Sequence, residues 1–124
     1  MPDINYGEIL EALNDKVDLS GSWSAPNGQY DDLSGSVLNM TNASYSITAP
    51  ADGWFFAAIR SAENSQFLGC YNDQLFTKLE MWAGAGAMCY ILLPMKKGQV
   101  LSDIRTTCTG TDKIVRFIYA QKTN

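Results

Sequence analysis

Short runs of strand-forming residues, separated by turn residues at about ten-residue spacing, dominate the sequence from residue 45 onward. Gly, Pro, Asn and Asp are concentrated in the gaps between the runs, for example at residues 84–86 and 110–112. This pattern is typical of an all-β chain built as an antiparallel β-sandwich. The predicted strands are residues 45–49, 53–60, 66–71, 75–82, 88–93, 100–106 and 113–121.

The distribution of apolar residues within these runs indicates which faces of the strands are covered. In residues 75–82, Lys78 and Glu80 lie on one face, as expected for a strand with one face in solvent. Residues 53–60 are apolar on both faces, and residues 88–93 nearly so. Since a two-sheet sandwich buries only one face of each sheet, these strands predict that an outer face is covered by sister subunits.

The segment that precedes the strands, residues 19–42, is rich in Ser, Gly and Asn. Residues 26–28 read Pro-Asn-Gly and residues 34–35 read Ser-Gly, and both are turn signals. We therefore expect an irregular connector with one or two short strands.

The N-terminal segment has the pattern of a short helix. Asn5 is a candidate N-cap, and Glu8 follows three residues later, as in a capping box. Apolar residues recur at steps of four, three and four, which is a coiled-coil seam, and Ile9 widens it. A helix of about three turns is marginal alone, so we expect a trimeric stem; a helix folded onto its own domain is the alternative. The stem positions are Tyr6, Ile9, Leu10, Leu13 and Val17.

These patterns divide the chain into two parts, a helical trimerisation stem at residues 1–20 and a β-sandwich head at residues 21–124. With 46% hydrophobic and 18% charged residues, the chain is not disordered. The net charge is −4 and the longest basic stretch has two lysines, which argues against nucleic acid as a partner. No apolar window is long enough to insert in a membrane, and we expect no signal peptide.

The inventory of reactive side chains argues against catalysis. Histidine is absent, which removes the commonest general base and the commonest zinc ligand. The sequence around the Asp31-Asp32 pair has neither the ligand spacing of a calcium site nor the spacing of the two carboxylates that flank the sugar in a glycosidase. We therefore expect no enzymatic activity, no cofactor and no metal ion.

The three cysteines, Cys70, Cys89 and Cys108, are odd in number and nineteen residues apart. This favours reduced, partly buried thiols over a disulfide framework or a metal site. Cys70 and Cys89 lie in apolar strands, whereas Cys108 lies beside a Thr/Gly loop. We therefore expect Cys108 to react first with a thiol reagent.

Four motifs resemble segments of the short tail-fibre, receptor-binding proteins of bacteriophages and prophages. They are GQYDDLSG at residues 28–35, YSITAPADGWFFAAI at residues 45–59, ILLPMKKGQV at residues 91–100 and VRFIYAQK at residues 115–122. The resemblance covers most of residues 25–122. It departs at Met95, where the family more often has valine, and at Gln99, where it often has aspartate.

The resemblance implies a homotrimeric jelly-roll head, similar to the heads of complement and tumour-necrosis-factor ligands, on a coiled-coil stem. It further implies a protein made in the bacterial cytoplasm and carried on the virion tail with other tail components. Its ligand would be a glycan or a protein on the host cell surface. No binding residue is carried over from the family, because the receptors of such proteins differ too much.

The direction of successive strands predicts where a receptor would bind. Antiparallel strands reverse direction at each turn, so turns fall alternately at two ends of a sandwich. If residues 113–121 descend toward the stem, as the resemblance suggests, the turns at residues 41–44, 61–65, 83–87 and 107–112 lie at the far tip. This tip would carry a polar set with one aromatic platform, suited to a sugar or a polar epitope. The predicted receptor-binding residues are Asn42, Glu63, Asn64, Trp82, Thr107, Thr109 and Asp112.

The sequence therefore favours adhesion through multivalent contact. Three other interpretations stay open. The chain could be a purely structural cap that trimerises a fibre, a secreted bacterial ligand of the same fold, or a carboxylate-dependent glycan hydrolase acting at a subunit boundary.

Overall fold

The structure, a computed structural model, describes residues 26–72 and 77–121. Within these residues the chain forms eight strands in two four-stranded antiparallel sheets. The strands are β1 (Pro26–Asp32), β2 (Tyr45–Thr48), β3 (Gly53–Arg60), β4 (Gln66–Asn72), β5 (Thr77–Ala83), β6 (Met88–Met95), β7 (Val100–Thr106) and β8 (Lys113–Ala120). The predicted stem, its five seam residues and the boundary at residue 20 lie outside the described residues.

Sheet A has the strand order β1-β8-β3-β6, and sheet B has the order β2-β7-β4-β5. One hydrophobic cluster lies between them and takes residues from both sheets. Its fully buried large side chains include Phe55 and Phe117 from sheet A and Leu68, Leu101 and Ile104 from sheet B. The predicted all-β class is confirmed, and two antiparallel sheets around one core make a β-sandwich.

The predicted runs correspond to β2 through β8, and the exception is β1. Residues 26–28, predicted as a turn, are instead the irregular start of a strand, which corrects the sequence-based expectation. Gly28 has a φ of 86°, and the pairing with β8 shifts register between Pro26 and Tyr30. An edge strand tolerates this because Pro and a bulge cost few ladder hydrogen bonds there.

The connections between strands lie at two opposite ends of the sandwich. At one end β1 begins and β8 ends, with Pro26 paired to Ala120. Asp52 lies at the same end, where its Oδ1 accepts a hydrogen bond from Lys97 N at 2.9 Å. The opposite end, here called the loop end, carries residues 33–44, 61–65, 84–87 and 107–112. This distribution of turns agrees with the prediction from strand direction.

The outward face of sheet A, here called the sheet A outer face, is largely apolar and also carries the charged pair Asp32 and Arg116. Leu92 and Tyr90 on β6 are 60% and 52% exposed, which is high for such large side chains. Three rows of residues cross this face in register, and they are Tyr30–Ile118–Trp54–Pro94, Arg116–Phe56–Leu92 and Ile114–Ala58–Tyr90. Contiguous exposed apolar surfaces are typical of sites of protein–protein interaction.

A glycine in β3 tests how closely β3 packs against β8. A Cβ atom at Gly53 would lie 2.1 Å from Ile118 O and 2.8 Å from the Phe117 ring. We expect Gly53→Ala to lower the free energy of unfolding by about 1–3 kcal/mol through overpacking. Gly35 is the matched control, since a Cβ there has no atom within 4 Å. Chemical denaturation of both variants checks this, and equal stability of the two would contradict the packing of β3 against β8.

Candidate functional site

Backbone hydrogen bonds join the four segments of the loop end into one surface. Asn42 N donates to Thr106 O at 2.9 Å, and Ser61 N donates to Ala87 O at 2.8 Å. Gly110 N donates to Arg60 O at 2.9 Å. Each bond connects a loop to a different part of the chain, so the loop end is held as a unit.

Gln66, at the start of β4, is the buried centre of this arrangement. Its Oε1 accepts hydrogen bonds from Ala62 N at 2.8 Å and from Thr109 N at 3.2 Å. Its Nε2 donates to Thr109 Oγ1 at 3.1 Å. One side chain thereby fixes residues 61–65 against residues 107–112. The sequence gives no signal for this role, because a glutamine at a strand start resembles an ordinary solvent-exposed residue.

Arg60, at the end of β3, connects residues 107–112 to one further segment of the loop end, residues 84–87. Its Nε donates to Asp112 Oδ2 at 2.7 Å, and its Nη1 donates to Gly86 O at 2.5 Å. Both charged side chains are substantially exposed, so the ion pair orients the loops and adds little stability. The backbones also approach closely here, since a Cβ on Gly110 would lie 2.3 Å from Arg60 O.

An exposed aromatic platform lies beside these loops on the outward face of sheet B. Trp82 is 57% exposed and packs on Phe67, with ring centroids 4.8 Å apart and planes at 34°. The two residues are paired in register between β5 and β4. Trp82 Nε1 donates to Glu80 Oε2 at 3.3 Å. The indole is therefore oriented from two sides and still presents a broad apolar surface.

A shallow open depression adjoins the platform. It is lined by Asn64, Ser65, Trp82, Ala83 and Gly84. Asn64 Oδ1 accepts a hydrogen bond from Ala85 N at 3.0 Å. The amide nitrogen of this exposed side chain therefore points away from Ala85. The structure thus brings together two predicted site residues, Asn64 and Trp82, around one concave surface.

The other predicted site residues divide into two groups. Asn42 and Glu63 are exposed at the loop end, and Asn42 has a φ of 62°. The remaining three side chains bind within the protein: Thr107 Oγ1 accepts from Phe67 N, Thr109 Oγ1 accepts from Gln66 Nε2, and Asp112 pairs with Arg60. They shape the loop end, while Asn64 and Trp82 line the open depression beside it.

The three thiols are all buried, Cys108 beside its loop as fully as the two in the strands. Cys70, Cys89 and Cys108 are 3%, 0% and 2% exposed and are free cysteines. Burial raises the pKa of both Cys70 and Cys89 to about 11, so these two thiols are protonated at neutral pH. The predicted order of labelling remains to be measured.

Three further observations bear on function. Residues 26–72 and 77–121 contain no group of three His, Cys, Asp or Glu side chains placed to hold a metal ion. The same residues include no helix that is long and apolar enough to cross a membrane. Comparisons with protein-family models, with curated proteins and with solved structures found no match.

The Gln66 network generates a stability prediction. We expect Gln66→Ala to lower the free energy of unfolding by about 1–3 kcal/mol, because it leaves backbone N–H groups of the loops without their acceptor. Gln121→Ala is the control, since Gln121 is exposed at the opposite end. Urea denaturation of both variants measures the difference. A loss no larger for Gln66→Ala than for Gln121→Ala would show that the network does not hold the loops.

Proposed function

We propose that this chain is the trimeric, non-enzymatic head of a bacteriophage or prophage tail fibre, and that it binds a glycan or protein on the host cell surface. The observation that carries the proposal is that two parts of the protein surface differ in chemical character. The sheet A outer face is apolar and suited to sister subunits, whereas the loop end is polar and carries one oriented aromatic platform.

The strand order supports a jelly roll as the architecture of this head. Eight antiparallel strands divided as β1-β8-β3-β6 and β2-β7-β4-β5 correspond to the double-sheet arrangement of that fold. Apart from β4 and β5, neighbouring strands in each sheet are not consecutive in the chain, as in Greek-key connections. The short tail-fibre proteins that the sequence resembles are expected to have the same architecture.

The composition of the sheet A outer face supports assembly with copies of the same chain. Its residues are mainly aromatic and aliphatic, and the second row also contains two charged residues, Arg116 and Asp32. Arg116 lies over the Tyr30 ring, 4.1 Å from the centroid, and is paired in register with Asp32. Its charge thus has local partners, and three copies could bury the surrounding apolar rows. A trimer is also what the seam of the N-terminal segment predicts.

The platform and its depression support recognition of a polar ligand such as a sugar. Trp82 offers an apolar face on which a sugar ring can stack, and Asn64 offers an amide beside it. A single open site of this kind binds weakly, because it buries little of its ligand. Three sites fixed in one head gain apparent affinity through effective concentration, which suits attachment to a repetitive cell surface.

The proposal predicts a stable trimer in solution. Light scattering after gel filtration should give about three times the chain mass of 13.6 kDa. We expect Leu92→Asp to shift the protein toward monomer, because burying an unpaired carboxylate costs several kcal/mol per subunit. Met40→Asp is the matched control, since Met40 is 65% exposed and lies at the loop end. A monodisperse wild-type monomer, or a Leu92→Asp trimer as stable as wild type, would overturn the assigned interface.

The proposal also predicts which residues contact the host. Labelled protein would be screened on intact gut and soil bacteria, and variants would be tested on the strain that binds. We expect Trp82→Ala and Asn64→Ala to lower binding at least about tenfold, since exposed aromatic anchors dominate such contacts, while the trimer is retained.

Lys96→Ala is the control for this binding assay, because Lys96 lies at the opposite end and pairs with Asp52 there. Equal losses in all three variants would refute the loop end as the receptor surface. Absence of binding to every strain would favour a structural cap. Release of sugar from the cells would favour a hydrolase.

A further inference from the structure

Two of the three thiols meet inside the sandwich. The Sγ atoms of Cys89 and Cys108 are 3.7 Å apart. Cys89 is on the inward face of β6 in sheet A, and Cys108 follows the end of β7 in sheet B. The pair therefore bridges the two sheets at the loop end, although the residues are nineteen positions apart in the sequence.

We propose that Cys89 and Cys108 are an oxidative modification site, at which a small-molecule disulfide of the glutathione type converts the two thiols into one intramolecular disulfide. The bond would join sheet A to residues 107–112 of the loop end. This inference rests on the sulfur geometry alone and is independent of the function proposed above.

The two sulfur atoms need to move only a short distance to form the bond. A disulfide has an S–S distance of about 2.0 Å, so the two sulfur atoms must close by about 1.7 Å from their present separation. Cys108 is in the loop that follows β7, two residues before Gly110, whereas Cys89 is in β6. Cys89 Sγ also lies 3.3 Å from Met81 O, and Cys108 Sγ lies 3.5 Å from Phe67 O. These contacts hold both sulfur atoms in the space between the sheets.

Access to the pair is from the loop end. A depression there is lined by Cys108 together with Thr41, Thr109, Thr111 and Lys113. Cys89 is fully buried, and burial raises its pKa to about 11. A reagent that enters from solvent therefore meets Cys108 first, and Cys89 reacts in a second, intramolecular step.

The chemistry is two successive thiol–disulfide exchanges. The Cys108 thiol loses its proton and attacks one sulfur of the small disulfide; that S–S bond breaks and one small thiol leaves. The Cys89 thiol then loses its proton and attacks Cys108 Sγ in the mixed disulfide, and the second small thiol leaves. The protein loses two protons and two electrons, and the small disulfide takes them up to become two thiols.

The third thiol provides an internal control. Cys70 is buried in β4, and in the part of the chain that the structure describes neither of the other sulfur atoms contacts it. Its burial resembles that of the pair, so it reports on burial alone. Selective oxidation of Cys89 and Cys108 therefore distinguishes proximity from general thiol reactivity.

The full chain would be equilibrated with mixtures of oxidised and reduced glutathione, quenched with acid, alkylated after unfolding, and measured by intact mass and peptide mapping. We expect a species that is about 2 Da lighter than the reduced protein before alkylation and that then carries one alkylated cysteine. Peptide mapping should place this cysteine at Cys70. We expect its midpoint of thermal unfolding to rise by on the order of 10 °C relative to reduced protein. Cys70→Ala should form the same bond, and Cys108→Ser should not.

Several results would overturn the proposal. Three alkylated cysteines after equilibration with oxidised glutathione would do so, as would a bond that includes Cys70 or that joins two chains. A stable glutathione adduct on Cys108 without closure to Cys89 would also do so. If Cys108→Ser does not fold, Cys89→Ala serves in its place, and peptide mapping of the wild type alone still decides which cysteines are joined.

Discussion

Strand β3 is paired on both edges and apolar on both faces, and this combination sets the requirements for the remainder of the molecule. Its edges are hydrogen-bonded to β6 and β8 over nearly their whole length. Its inward residues, among them Phe55 and Ile59, need a second sheet to cover them, and sheet B provides it. Its outward residues Trp54 and Phe56 are only partly buried, and in our proposal sister subunits complete their cover. A single strand thus demands both a sandwich and, in our proposal, an assembly.

The loop end illustrates how a surface made of turns becomes rigid. Gln66 satisfies backbone N–H groups from two loops, and Arg60 connects one of these to a third. These bonds occupy side chains that a ligand could otherwise use, among them Thr109 and Asp112. The gain is preorganisation, since loops that are already fixed lose less entropy on binding. The remaining open groups, Trp82 and Asn64, are then held at a defined spacing by β4, β5 and the loop between β3 and β4.

Much of this fold follows from local pattern, and the exceptions have physical causes. Period-two alternation and turn residues predict β2 through β8, because both signals act over a few residues. The start of β1 was missed because Pro26 and Gly28 signal a turn, while pairing with β8 at a sheet edge overrides that preference. Gln66 and the Phe67–Trp82 contact were missed because they depend on which strands become neighbours. The equal spacing of the cysteines carries no such information, and the meeting of Cys89 with Cys108 arises only when the two sheets stack.

The arrangement of the two ends gives the proposed assembly its geometry. The chain enters the described sandwich at Pro26, paired with Ala120, at the end opposite the loop end. Strands of sheet A run between these ends, so copies that pack through the sheet A outer face with their entry ends together present their loop ends in one direction. Each copy then contributes one Trp82 platform to a common surface, and none of these platforms lies on the face used for assembly. Because the proposed assembly and the proposed recognition use different sheets, substitutions at Leu92 and at Trp82 are separable, and a trimer would multiply a contact that one copy alone would make weakly.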